Sequence, residues 1–375
     1  MLLLKLIEKN NMSKIKVGIV GVGNCANSLI SGIEWYREYY KKNVDDAPGL
    51  VNEFIDKYKV TDIEVVAAFD VDKDKVNKDL SEAIFSKSNL AYDYKIKVPK
   101  TGIIVQKGPE LDGVPEHLKT FPGNPVIVSD QKELNKEQCA NVLNDSGAEI
   151  LLNFLPTGSK QSALFYADVA INIAKIGYFN GMPELIVCDK TFQNSALKNN
   201  VPIVGDDCKS QLGGTAINRA MAQLLNDKGI KVSKMYQINY AGNTDFYNLI
   251  HRGQSKHKTK KESVTSLIPY EFEMDTGFTF LPVMRDRKTM HLWFEAVNFG
   301  NAPLKFEAKL EVEDSPNFAG IIVDVVRYMK IALDRNIGGV LDSVCMYYAK
   351  HPPKQIPDYI SKNMLDEFVK GKRER

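Results

Sequence analysis

Net charge is nearly absent from this sequence. Its 375 residues set 49 Lys and Arg against 47 Asp and Glu, which leaves no global field to draw nucleic acid or an anionic membrane. Cysteine is sparse: Cys25, Cys139, Cys188, Cys208 and Cys345 show no C-x-x-C spacing and no disulfide framework. That usage fits a reducing, cytoplasmic setting. No His/Cys cluster offers a zinc-type ligand set, so metal ligands stay unassigned. No apolar run approaches the ~20 residues of a membrane span. The opening MLLLKLIEKNN has too short an apolar core for a secretory signal and no small-residue cleavage site. Residues 1–13 are therefore expected to be an extension without assigned function, Met12 being an alternative start.

What is present begins at Lys14. A short apolar strand (Ile15, Val17, Ile19, Val20) runs into Gly21-Val22-Gly23-Asn24-Cys25-Ala26 and then a helix through Leu29 and Ile33. This is a G-x-G-x-x-A turn. Gly21 serves the tight bend, Gly23 lets a pyrophosphate approach the backbone, and Ala26 lets helix pack on strand. The helix N–H groups then face the anion. Ile63–Asp70 reads as the second strand, its terminal carboxylate suited to the hydroxyls of an adenosine ribose; the plain alternative is a solvated strand-end acid. Asp70 follows Gly23 by 47 positions rather than the usual ~20. An insertion is thus expected, with Trp35–Lys59 as a helical extension.

Further on, a helix is expected over Asp72–Phe85, then a Pro-rich excursion over Ser86–Pro125 with one strand at Gly102–Gln106. An excursion of this length points to function or partner contact. Strand Val126–Val128, helix Lys132–Asp145, strand Glu149–Phe154, helix Gln161–Ile176 and strand Tyr178–Asn180 restore an α/β alternation. That pattern favours a Rossmann-like, doubly wound parallel sheet. Thr157 and Ser159 follow a strand end, where such sheets place ligand contacts; helix capping is the competing role. Residues 205–215, GDDCKSQLGGT, gather acids, a lysine, a hydroxyl and glycines before the helix Ala216–Asp227. They read as a phosphate loop or, more plainly, a capping loop.

From Lys231 the pattern turns to β, with strands expected at Met235–Tyr240, Glu271–Phe280, Thr289–Val297 and Leu304–Val312. The last alternates apolar and charged residues throughout, as a half-buried strand does. The expectation is an α+β catalytic and oligomerisation domain with a mostly antiparallel sheet, and an oligomer paired through it. Ser315 reads as N-cap and Pro316 as first residue of a helix over Asn317–Arg335. Asp342 to Arg375 reads as helical, broken at His351–Pro357. The division expected is 1–13 extension, 14–204 dinucleotide-binding domain, 205–315 catalytic domain, and 316–375 C-terminal helices returning to the first.

Lys256, Lys258, Lys260 and Lys261 cluster, with Lys288 and Lys350 farther on. A solvated loop is the default. Gathered lysines, however, depress one another's pKa, so that one can act as base as well as acid, and protonated ones steady enolates and phosphates. Beside a nicotinamide fold, they point to redox at a carbon whose neighbour must be enolised.

The segments GVGNCANSLISGIEWY, AAFDVDKDKVNKDLSEAI, NFLPTGS, PIVGDDCKSQLGGT, NYAGNTDF, SKHKTKKESVTS, DRK, LEVEDSPNFAG and AKHPPKQIPD, in that order, resemble the myo-inositol-1-phosphate synthase family in its shorter archaeal and bacterial branch. The resemblance implies an NAD-dependent, redox-neutral isomerase acting on glucose 6-phosphate. The cycle is oxidation at C5, enolisation, aldol closure of C6 onto C1, and reduction to inositol phosphate. It further implies catalytic roles for Lys256, Lys260, Lys288, Lys350, Asp314 and Asp207. Cofactor contacts fall at Gly21, Gly23, Asn24, Cys25, Ala26, Asp70, Thr157, Asp206 and Asp245, and 6-phosphate contacts at Ser210, Gln211, Gly213 and Thr215. A cytoplasmic homotetramer is implied, and a monovalent or divalent cation is a further expectation, with Asp245 or Asp314 as oxygen donors. The competing readings are a dehydrogenase that releases its reduced cofactor, and a non-catalytic NAD-binding protein.

Overall fold

The computed structural model describes residues 14–43, 46–122, 124–252, 264–266, 268 and 270–375. Residues 1–13, Lys256 and Lys260 lie outside the described residues. All of β1 (Ile15–Val20) except Lys16 is buried, as a strand covered on both faces must be. It leads through the glycine turn into α1 (Asn24–Tyr40). A small hairpin of β2 (Phe54–Ile55) and β3 (Tyr58–Lys59) precedes β4 (Ile63–Asp70). The chain continues through α2 (Leu80–Ala83), β5 (Gln106–Lys107), α3 (Glu116–Lys119), α4 (Lys136–Asp145), β6 (Ile150–Asn153), α5 (Lys160–Asp168), β7 (Gly177–Asn180), α6 (Lys190–Lys198) and β8 (Pro202–Val204). The second part holds α7 (Gly214–Asp227), β9 (Lys231–Ala241), α8 (Thr244–Arg252), β10 (Glu273–Phe280), β11 (Arg287–Val297) and β12 (Pro303–Glu313). Next, α9 (Asp314–Asp334) runs back to the first sheet, where β13 (Gly339–Val340) pairs before α10 (Asp342–Tyr348) and α11 (Asp358–Val369).

The first sheet has seven strands in the order β13-β8-β7-β6-β1-β4-β5, and its pairings are parallel. Strand order reverses between β1 and β6, which opens a crevice above their carboxyl ends, the place where such sheets bind ligands. The second sheet runs β10-β9-β11-β12. There β10 is parallel to β9, whereas β9–β11 and β11–β12 are antiparallel. One face buries Val232, Met235, Met290, Leu292 and Phe294 under α7. On the other face Tyr236 and Trp293 stack at 5.1 Å. The long helix α9 is buried almost all round and lies against α1, tying the end of the second sheet to the first.

Several sequence expectations are corrected. The helix over 72–85 reduces to α2, because the Asp72 and Asp79 carboxylates take backbone N–H groups from Asp74 and Ser81 and Asn77 turns left-handed at φ 63°; side chains of this kind compete with helical bonding. Residues 35–59 are not one helix: α1 stops at Tyr40, and the buried Arg327 Nη1 donates to the carbonyls of Asn52 and Glu53 and so fixes the hairpin segment instead. Val126–Val128 forms only the bridge Val128–Asp72, the edge beside β4 being taken by β5 at 106–107 rather than 102–106. The helix over 161–176 ends as α5 and continues in a wider turn over Val169–Ala174. Ser315 is not an N-cap. The helix starts at Asp314, two residues before the expected Pro316, because the Asp286 carbonyl accepts Asp314 N–H at 3.0 Å and the Asp286 carboxylate accepts Ser315 N–H at 3.1 Å. The helix α6 went unforeseen.

Candidate active site

The glycine turn is shaped as its sequence requires. Gly21 sits at φ +89°, and a Cβ there would lie 2.7 Å from the Phe154 carbonyl oxygen. Gly23 is extended at φ −96°, and a Cβ there would meet nothing within 4 Å. It therefore faces open space at the N-terminus of α1, where backbone N–H groups favour an anion. Asn24 Oδ1 accepts Leu90 N–H at 2.7 Å, bringing Ser88 and Asn89 over the turn. Ala26 is buried in the helix–strand contact, and Cys25 lines the cavity.

Asp70 ends β4 beside this turn. Its carboxylate accepts N–H bonds from Val22 at 2.7 Å, Val71 at 2.7 Å and Asp72 at 2.9 Å. A carboxylate has about four acceptor positions, so capacity remains for a hydroxyl. Lys75, unnoticed in the sequence, stands 3.6 Å from Asp70. Thr157 is buried against α8 rather than in the cavity: its hydroxyl donates to Asp245 Oδ1 at 3.3 Å and its carbonyl accepts Asn248 Nδ2 at 2.7 Å. Asp245 itself lines the cavity.

The neighbours Asp206 and Asp207 point to different places. Asp206 is fully buried away from the cavity, accepting the N–H groups of Ile186, Val187 and Cys188 and the Asn180 amide. Burial pushes its carboxyl up to about 6. Asp207, left-handed at φ 52°, reaches the cavity, where Lys350 Nζ is 2.6 Å from its Oδ1. A second pair faces the same space, with Lys288 Nζ 2.8 Å from Asp314 Oδ1.

Asp286 supports that second pair from beneath. It accepts from Ser315 Oγ at 2.8 Å and Asn243 Nδ2 at 3.0 Å, while Asn243 Oδ1 caps α8 at Phe246 N–H, 3.0 Å. One buried acid thus orients the starts of α8 and α9. Burial, and then the Asp314 charge, pushes it up to about 6. Its position two residues before Lys288 was the only signal available in the sequence.

Ser210, Gly213 and Thr215 line the cavity at the N-terminus of α7, where Gly213 is the N-cap and offers no side-chain acceptor. Gln211 turns away: its Nε2 donates to the Gly49 carbonyl at 2.6 Å. Asn317 clamps the loop through both Leu212 backbone groups, at 2.9 and 2.7 Å.

The glycine turn, Asp70, Asp245, the phosphate-loop residues Ser210, Gly213 and Thr215, and both Lys–Asp pairs border one cavity of about 1770 Å³, open solvent at its mouth included. It runs from the glycine turn and Asp70 to both Lys–Asp pairs, the arrangement that a dinucleotide beside a second small molecule needs. Open space before Gly23 and spare acceptor capacity on Asp70 suit such a cofactor. Among the described residues no group of three or more His, Cys, Asp or Glu is placed to hold a metal ion, and no helix is long and apolar enough to cross a membrane.

A sequence profile described as myo-inositol-1-phosphate synthase matches residues 213–315. The inositol-3-phosphate synthase of Mycolicibacterium smegmatis is 40% identical over 371 residues, covering 96% of this chain and 98% of that one. That of Corynebacterium glutamicum is 39% identical over 371 residues, covering 95% and 98%. Among solved structures, a myo-inositol-1-phosphate synthase-related protein from Thermotoga maritima superposes with TM-score 0.77 at 23% identity, over 95% of this chain and 98% of that one. The inositol-3-phosphate synthase of Caenorhabditis elegans gives 0.74 at 16% identity, over 95% and 85%. At those identities the structural likeness is one of fold.

Proposed function

This chain belongs to the myo-inositol-1-phosphate synthase family, and from that premise we propose that it converts D-glucose 6-phosphate to 1L-myo-inositol 1-phosphate, with NAD used and regenerated in each turnover. The observation that carries the reading is the pair of Lys–Asp contacts, Lys288–Asp314 at 2.8 Å and Lys350–Asp207 at 2.6 Å, bordering the same cavity as the glycine turn and Asp70. NAD, bound along Gly21, Gly23, Asn24, Cys25 and Asp70, supplies the hydride acceptor for C5 and the hydride donor for the closing reduction.

The protein's own work is proton handling and orientation. Ser210, Gly213 and Thr215 hold the 6-phosphate by hydroxyl and backbone donors at the start of α7. Asp207, through Lys350, receives the C5 hydroxyl proton and returns it at the end. Lys288, held by Asp314, donates to the oxygen that gains charge during enolisation and ring closure. Lys256 and Lys260 carry their roles from the family resemblance alone. Asp245 and the Phe154–Pro156 wall would border the nicotinamide half, with Thr157 holding Asp245 from behind. A cytoplasmic homotetramer paired through the second sheet, and the division 14–204, 205–315 and 316–375, complete the reading; light scattering at the mass of four chains tests the assembly.

The deciding experiment incubates the full chain with glucose 6-phosphate and sub-stoichiometric NAD, following sugar phosphates by phosphorus NMR and reduced cofactor by absorbance. Inositol monophosphate exceeding the NAD supplied, with no lasting NADH, is the expected result. NADH accumulating in proportion to sugar lost would replace this reading with a dehydrogenase that releases its cofactor.

A further inference from the structure

Beneath the phosphate loop lies a buried charge cluster with no part in the chemistry above. Lys209 is 5% exposed. Its Nζ donates to Asp358 Oδ1 at 3.0 Å and lies 5.8 Å from the Tyr347 ring centroid. Arg219, in the second turn of α7, is 2% exposed. It donates Nε to the same Asp358 oxygen at 3.0 Å, Nη1 to Gln355 Oε1 at 3.1 Å and Nη2 to the Ile356 carbonyl at 2.6 Å. Two interior cations therefore share one carboxylate, which joins α7 to the first residue of α11.

The backbone of Lys209 lies on the other side of this cluster, in the site itself. Its N–H donates to the Tyr348 carbonyl at 2.7 Å, and the Lys350 N–H donates to the Asp207 carbonyl at 2.6 Å. Lys209 thus stands between Asp207, which meets Lys350, and Ser210, which borders the cavity.

Resting on the glucose 6-phosphate reading, we propose that Lys209 is a positioning residue for phosphate: its charged side chain, clamped by Asp358 between α7 and α11, keeps Ser210 and the α7 N-terminus in their phosphate-binding arrangement. Burial lowers its pKa to about 8, with Asp358 opposing the shift and Arg219 adding to it. The other groups facing it do not titrate in that range. Burial holds Tyr347 above its ordinary value and pushes Cys208 up as well. By linkage, a bound phosphate favours the ammonium, so affinity falls as pH passes the free protein's Lys209 value.

The test titrates the full-length protein, saturated with NAD, with glucose 6-phosphate from pH 7 to pH 9.5 by calorimetry. Wild-type affinity should hold and then weaken roughly tenfold, the ordinary size of one coupling between sites. Lys209→Arg, charged throughout, should keep neutral-pH affinity with a flat profile. Lys209→Met should be flat and roughly tenfold weaker from the start. Asp358→Asn removes the acid that holds the proton on Lys209 and should move the break to lower pH. NAD affinity, measured without sugar phosphate, should be alike in all four. A wild-type break persisting in Lys209→Arg, or a Lys209→Met that matches wild type at pH 7, overturns the inference. Should neither Lys209 variant fold, an Asp358→Asn break that does not move overturns it instead. Absence of glucose 6-phosphate binding to the wild type overturns the substrate reading itself.

Discussion

Lys350 meets Asp207 twice: Nζ lies 2.6 Å from Oδ1, and the lysine's N–H donates to the same residue's carbonyl at 2.6 Å. The side-chain pair is held in register by the backbone pairing of the two segments that carry it. Asp207→Asn keeps the backbone contact and removes the charge. It should lower kcat about 10²–10⁴-fold, the usual scale for a positioned proton-transfer group. Lys350→Met should fall as far, and the double variant little further, because residues acting as a unit are not additive. Steady-state inositol phosphate production measures all three.

Lys288→Ala separates an enzyme from a binding module. Turnover should collapse by at least about 10²-fold while NAD affinity, read by cofactor fluorescence, is unchanged. Equal loss of both would mean that Lys288 supports the fold and not the reaction.

The two glycines of the turn should respond differently to the same change. Gly21→Ala places a side chain at φ +89° and 2.7 Å from the Phe154 carbonyl, which should cost about 1–3 kcal/mol of stability. Gly23→Ala meets no protein atom within 4 Å, so its melting temperature should match wild type. Its NAD affinity should nevertheless fall about tenfold, because the methyl group occupies space that the pyrophosphate needs. Denaturant melts and cofactor titrations of the two variants check this.

Asp286 gives stability a predictable pH dependence. Its folded value is about 6, against ~3.9 in an unfolded chain. Between those values the native state binds the extra proton. This group's contribution therefore declines as pH rises through the window and is constant above it. Asp286→Asn lacks that dependence. The stability difference, variant minus wild type, should rise by roughly 3 kcal/mol at most from pH 4 to 6 and then level off, as urea melts at each pH will reveal. A flat difference would mean that Asp286 is charged throughout.

The sequence declared the first sheet because strands buried on both faces leave nearly continuous apolar runs, as in Ile15–Val20, broken only by Lys16, and in residues 150–152. The glycine turn was legible for a related reason: Gly21 and Gly23 act within their own few residues. What stayed hidden was set by distant partners. Nothing around Gln211 shows that its amide bonds Gly49, and nothing in GDD says which acid enters the core and which the cavity. Asp286 was invisible as the support of two helices, since its partners Asn243 and Ser315 lie 43 and 29 residues away. The short helix α2 was over-read because apolar spacing outweighed the local bonds of Asp72 and Asp79.

The edge strand β13 bears on how the chain folds during synthesis. Gly339 and Val340 pair with Pro202 and Ile203, and α9, which covers this part of the sheet, begins only at Asp314. A ribosome making the chain at roughly 5–20 residues per second therefore exposes the open flank of β8 for several seconds before its cover emerges. During that interval an unpaired strand edge is a template for association with other chains. Chaperone demand should be concentrated there, and a chain truncated before Asp314 should aggregate rather than yield a free-standing nucleotide-binding half.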